Sequence, residues 1–124
     1  MTIKINQNAT NIAVLTLRES ASDQIAYNWL LRFVNDETSK EYLSFFTDIS
    51  IYPDLHQRFE IVEPTDIAFD QFGDFTYYAY QMPDTDDMDY TRGILVESEK
   101  SIVIETPTTR KSFSVTKNNK VFNG

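Results

Sequence analysis

The densest chemistry in the chain is a run of carboxylates: Asp84, Asp86, Asp87 and Asp89 fall within six residues. Oxygen clusters of that kind suit a hard cation such as calcium. A calcium loop of the EF-hand type, however, takes an acid at its fifth position and a glycine at its sixth, and counted from Asp84 those are Met88 and Asp89. The plain reading is a solvated acidic loop, with calcium as the alternative. His56 is the single histidine, and any Ser-His-Asp site would have to pass through it. It sits beside a proline among polar residues and reads as a surface turn residue. The chain has no cysteine, which removes thiolate catalysis, disulfides and Cys-type zinc sites together. Nineteen carboxylates offer many pairs for glycoside hydrolysis, yet nothing marks one pair out. The expectation is a protein with no catalytic residue, no resident metal and no cofactor, hence not an enzyme.

Two further constellations could bind. Tyr77, Tyr78 and Tyr80 could stack sugar rings, because aromatic faces complement apolar sugar faces. The competing and favoured reading places them in a core or a subunit contact, where tyrosine is common. The other constellation lies near the end of the chain. Residues 1–53 hold four bases and six acids, residues 54–99 two and 12, and residues 100–124 five and one. An acidic body repels phosphate, so nucleic acid is not expected as a partner. The basic stretch carries Arg110, Lys111, Lys117 and Lys120 around Phe113, Val115, Val121 and Phe122. These anchors are too few and too far apart for a core of their own. They suit an arm whose alternating Phe113 and Val115 add a strand to a neighbour's sheet edge.

The elements that must position these groups read as strand after strand. One hundred and twenty-four residues, 41% of them hydrophobic and 14% aromatic, suffice for one domain with one core. Asn11 to Leu17 is a short β-branched run. Tyr27 to Val34 puts Trp29, Leu31 and Phe33 on one face by alternation; a helix over 24–34 also fits the spacing of Ile25, Trp29 and Phe33 but is less favoured in so short and aromatic a segment. After a polar turn, Glu41 to Thr47 returns as the second strand of a hairpin. Ser50 to His56 reads as a proline turn, with one short helical turn as an option. Arg58 to Glu63 turns Phe59 and Ile61 inward until Pro64 stops it. Asp74 to Met82 is the strongest strand, with Phe75, Tyr77 and Ala79 inward and Tyr78 and Tyr80 outward. Gly93–Glu97 and Ser101–Ile104 read as two last runs separated by a kink or tight turn. About seven strands with turns every 8–12 residues predict an all-β, antiparallel sandwich over residues 1–105, followed by an extended C-terminal arm over 106–124. No apolar run approaches the roughly 20 residues of a spanning helix, and residues 1–8 hold no apolar export segment. Neither membrane nor Sec export is expected, and the Asn8-Ala9-Thr10 sequon is given no weight.

Two resemblances add to this reading. Phe72 to Tyr80 resembles the strand opening of immunoglobulin-like sandwiches, where a glycine turn leads into a strand whose tyrosine ties the corner; Tyr77 is the matching position. Across the body, Trp29–Thr38, Phe45–Ser50, Tyr52-Pro53, Arg58–Ile61, Gly73–Tyr77 and Gly93–Glu97 follow in order. They are similar to motifs of small virion proteins of tailed bacteriophages infecting Bacteroidetes, including crAss-like phages. The resemblance implies a non-enzymatic structural component of the particle, made in the host bacterial cytoplasm, and it carries over no catalytic or binding residue. The chain is then expected to be a capsid-associated auxiliary or decoration protein present in many copies. It would dock on the major capsid protein or on neighbouring copies through strand edges and through Arg110, Lys111, Phe113, Val115, Lys117, Lys120 and Phe122 of its arm. A carbohydrate- or protein-binding module of a phage tail or cell surface is the alternative.

Overall fold

Buried side chains recur at every second residue along Ile3–Asn6, Thr10–Leu15 and Gln57–Val62, and each of these stretches folds as a strand. The computed structural model describes residues 3–17, 21, 28–52 and 55–106. Seven strands lie within them: β1 (Ile3–Asn6), β2 (Thr10–Leu15), β3 (Asn28–Asn35), β4 (Glu41–Phe46), β5 (Gln57–Val62), β6 (Gly73–Met82) and β7 (Ile94–Ile104), with one 3-10 turn, Tyr90–Arg92, before β7. The described fold is all-β. Residues 107–124 lie outside the described residues, and with them almost all of the expected arm.

Five strands form one sheet in the order β1-β7-β6-β3-β4, and β2 pairs with β5 in a second. The fully antiparallel arrangement expected from the sequence does not hold, because β1 runs parallel to β7, Ile3 opposite Ser101 through Asn6 opposite Ile104. The large sheet is therefore mixed. The single strand β7 also replaces the two runs expected over 93–104. Its polar middle, Glu97 to Lys100, is not a turn: it stays in register with Ala79 down to Thr76 of β6 while its other edge lies beyond the reach of β1. A bulge between Ala79 and Tyr80, opposite Val96, takes up the extra residue there.

The core draws on both sheets. Trp29, Leu31 and Phe33 of β3, Phe75, Tyr77 and Ala79 of β6 and Val103 of β7 pack in one cluster with Ala13 and Leu15 of β2 and Phe59 and Ile61 of β5. The inward sets read from alternation in β3, β5 and β6 are thus the observed ones. Ring packing fills the middle: Phe69 meets Phe33 and Phe75 edge-on at 5.5 Å each. Phe69 and Ile67 come from the β5–β6 connection and are buried, which sequence alternation does not reveal in a loop. Buried polar groups fasten the connections. The Asn11 amide donates to the carbonyls of Asn6, Ala9 and Ile61. The Glu63 carboxylate accepts from Asn8 N–H at 2.8 Å and Phe69 N–H at 2.9 Å, and Gln57 Oε1 accepts from Leu17 N–H at 2.6 Å. Each would cost stability if left unmade.

Candidate docking surface

The strands turn two sets of apolar side chains away from the common core, and the protein treats them differently. On the outer face of the large sheet, Leu30, Tyr80 and Met82 are buried, with Leu43, Phe45, Tyr78 and Tyr90 packed against them. Arg32 lies across this face. Its guanidinium carbon stands 4.3 Å from the Tyr90 ring centroid and 4.8 Å from that of Tyr78. Nη1 donates to the Tyr80 hydroxyl at 3.3 Å and Nη2 to Glu41 at 3.0 Å. Cation–π contacts and the carboxylate together hold the cation over the rings. Burial pushes the Tyr80 hydroxyl's pKa up while Arg32 pulls it down. Tyr77 points the other way, into the core, and its hydroxyl donates to Glu97 at 2.7 Å. Burial, then that carboxylate, pushes its pKa well above the usual phenol range. The three tyrosines therefore do not form one platform: Tyr77 is core, Tyr80 is buried on the opposite face, and Tyr78 lies under Arg32.

The acidic loop closes this outer face. Arg92 pairs with Asp84 at 2.7 Å and Asp87 at 3.0 Å. The aspartates of the loop also make turns: Asp84 accepts from Asp86 N–H, Asp87 from Asp89 N–H and Asp89 from Thr91 N–H. Such local bonds are what aspartate does at chain reversals. Arg92 first, then the turn N–H, holds the Asp84 carboxyl below the usual range; for Asp87 the Asp89 N–H comes first and Arg92 second. Gly93 admits the loop against the sheet, since a Cβ there would stand 2.4 Å from Met82 Sδ and 2.8 Å from the Gln81 carbonyl oxygen. Among the described residues no three carboxylate or imidazole side chains form a group that could hold a metal ion.

The other set is left uncovered. Between β4 and β5, Ile51, Leu55 and Tyr52 are 81%, 67% and 58% exposed, and Ile49 is exposed beside them. Ordinary loops turn polar groups outward, and here the polar groups are the frame. Asp48 Oδ1 accepts from Ser50 N–H at 2.8 Å and Arg58 N–H at 2.9 Å, Ser50 Oγ accepts from Tyr52 N–H at 3.0 Å, and the Tyr52 carbonyl takes the N–H of Leu55 and His56. His56, expected as a plain turn residue, lines a shallow cavity of about 370 Å³ with Ile49, Ser50, Ile51, Tyr52 and Arg58. The small sheet carries further exposed apolar side chains across Arg58. Ile49 N–H bonds the Arg58 carbonyl, Arg58 lies opposite Val14, and Glu60 lies opposite Ile12; Ile12 and Val14 are both exposed. Contiguous exposed apolar surface of this kind marks an interaction site, whereas scattered single residues do not.

This surface was not found from sequence. Ile51, Tyr52 and Leu55 fall in the Ser50–His56 segment, read as a proline turn with one short helical turn as an option, and periodicity cannot tell a buried isoleucine in a turn from an exposed one. The residues that sequence singled out for docking, Arg110, Lys111, Phe113, Val115, Lys117, Lys120 and Phe122, lie outside the described residues. Among the described residues, no helix is long and apolar enough to cross a membrane. Comparison of the chain with protein-family models, with curated proteins and with solved structures finds no match.

Proposed function

We propose that this chain is a non-enzymatic docking subunit of a larger assembly, and, on the motif resemblance, a multi-copy auxiliary or decoration protein of a bacteriophage particle. The observation that carries the docking role is the apolar surface of Ile49, Ile51, Tyr52 and Leu55, held outward by a hydrogen-bonded polar frame. A loop that spends its polar side chains on its own backbone and leaves its isoleucines in water is built for a partner that will bury them. Two sheets closing on one core, with Tyr77 at its centre, support an immunoglobulin-like sandwich as the scaffold.

The alternative, a sugar-binding module resting on the tyrosines, has less support. The Tyr78 and Tyr90 faces already carry Arg32, and Tyr80 is buried. Mass spectrometry of gradient-purified particles of the phage encoding this chain tests the virion reading. The chain should be present in many copies per particle, and it should be lost from particles when Ile51→Ser and Leu55→Ser are introduced together. Its absence from wild-type particles would remove that reading.

A further inference from the structure

We infer that the open edge of β2 receives residues 107–124 of a neighbouring copy as an added strand, its side chains seated over Ile12 and Val14. This rests on the docking reading above and names the occupant. The two strands of the small sheet differ at their outer edges. Ala9 and Glu63 continue the β2–β5 register, and the Glu63 N–H donates to the Ala9 carbonyl at 3.0 Å. Odd-numbered residues of β2 therefore bond β5, and even-numbered ones turn N–H and C=O away from it. On β5 the outward groups of Arg58 and Val62 are taken, with those of Glu60 between them: Asp48 accepts from Arg58 N–H, Ile49 donates to the Arg58 carbonyl, and Asp66 accepts from Val62 N–H at 2.9 Å and donates to the Val62 carbonyl. On β2, among the described residues, nothing pairs with those of Ile12 and Val14. An open edge beside exposed apolar side chains is a template for another strand.

The occupant follows from charge, length and register. Residues 1–106 hold 19 acids and seven bases, while residues 107–124 hold four bases and no acid. The chain reaches Thr106 fastened to the β1–β2 turn, Thr106 N–H to Gln7 Oε1 at 3.0 Å and Oγ1 to the Gln7 carbonyl at 2.7 Å. Thr106 is therefore beside the start of β2, which is six residues long. If residues 107–112 followed their own β2, the polar stretch Pro107 to Ser112 would cover Ile12 and Val14, and Phe113 and Val115 would overshoot the strand. A neighbouring copy removes that constraint and lets Phe113 and Val115 meet Ile12 and Val14. Eighteen residues extend to roughly 60 Å, ample to cross to another molecule.

Sedimentation of the full chain over a range of concentrations tests this. The chain should self-associate. Ile12→Lys, which spoils the receiving edge, and Phe113→Lys, which spoils the added strand, should each weaken association by at least about tenfold. Mixing the two variants should recover one edge–strand contact per pair, giving heterodimers that neither variant forms alone, because one keeps an intact edge and the other an intact strand; misfolding of either would not be repaired by mixing. Val14→Lys replaces Ile12→Lys if the latter changes the melting curve. A wild-type chain that stays monomeric throughout, or a mixture no better than its parts, overturns the inference. A chain found in particles but monomeric alone would lose this inference and keep the virion reading, and the reverse result would do the opposite.

Discussion

The outer face of the large sheet and the outer face of the small sheet begin alike, as apolar side chains pointing away from the common core. The first is sealed. Arg32 lies over Tyr78 and Tyr90, and the 83–93 loop, closed by Arg92, brings Tyr90 onto Leu30, Tyr80 and Met82. The second has no such cover among the described residues, and its loop uses Asp48 and Ser50 to fix its own backbone with Ile51, Tyr52 and Leu55 outside. Aromatic content alone would have placed a binding surface on the first face. The tyrosine-rich face is thus a second core, and the exposed apolar surface is the mainly aliphatic one.

The largest effect that could break this comparison is on stability. Phe75→Ala in the common core should cost about 3–5 kcal/mol, and Leu30→Ala on the sealed face about 2–5 kcal/mol. Denaturant unfolding measures both. A cost for Leu30→Ala near that of an exposed residue would make the two faces equivalent.

Acid should act on the seal next. The folded Asp84 and Asp87 carboxyls lie below their ordinary 3.8. Their contribution is therefore fully present above about pH 5 and is lost as pH falls below 3.8 through the folded values. Amide exchange in residues 84–93 should quicken in that window before the strands open. Unchanged exchange down to global unfolding would mean that Arg92 does not hold the loop.

On the open face the expected stability changes are smaller. Ile51→Ser and Leu55→Ser should each shift unfolding by no more than about 0.5 kcal/mol, the range of exposed positions, while reducing incorporation into the assembly. A loss above 2 kcal/mol would place those side chains in the fold rather than at an interface. The smallest expected effect is that of calcium, which should leave the melting temperature unchanged beyond ionic strength. A saturable rise, lost in an Asp86→Asn and Asp87→Asn double variant, would mean that the loop binds the ion.

Much of the scaffold was legible because alternation is a local signal. Trp29, Leu31 and Phe33, like Phe59 and Ile61, are placed by their spacing alone. The same signal was present and overlooked in Ile3 and Ile5, whose strand is only four residues long. At β7, composition misled: Glu97 to Lys100 look like a turn, yet they continue the strand against β6 where the short β1 does not reach. The sealed face is built by residues far apart in sequence: the β3–β4 and β3–β6 registers bring Glu41 and Tyr80 to Arg32, and the 83–93 loop adds Tyr90. The open face was illegible for the opposite reason. Exposure of Ile49, Ile51, Tyr52 and Leu55 depends on Asp48 and Ser50 bonding nearby backbone, and no hydrophobic pattern encodes that.

The most direct test of the docking account is amide exchange at Ile12 and Val14 in the full chain, followed from concentrated to dilute solution. Exchange should be slow where the chain associates and fast once dilution leaves monomers, while the Ala13 amide, bonded toward β5, stays protected throughout. Slow exchange at Ile12 and Val14 in the dilute monomer, or fast exchange in the associated state, would contradict an edge of β2 that is open in the single molecule and covered by its neighbour.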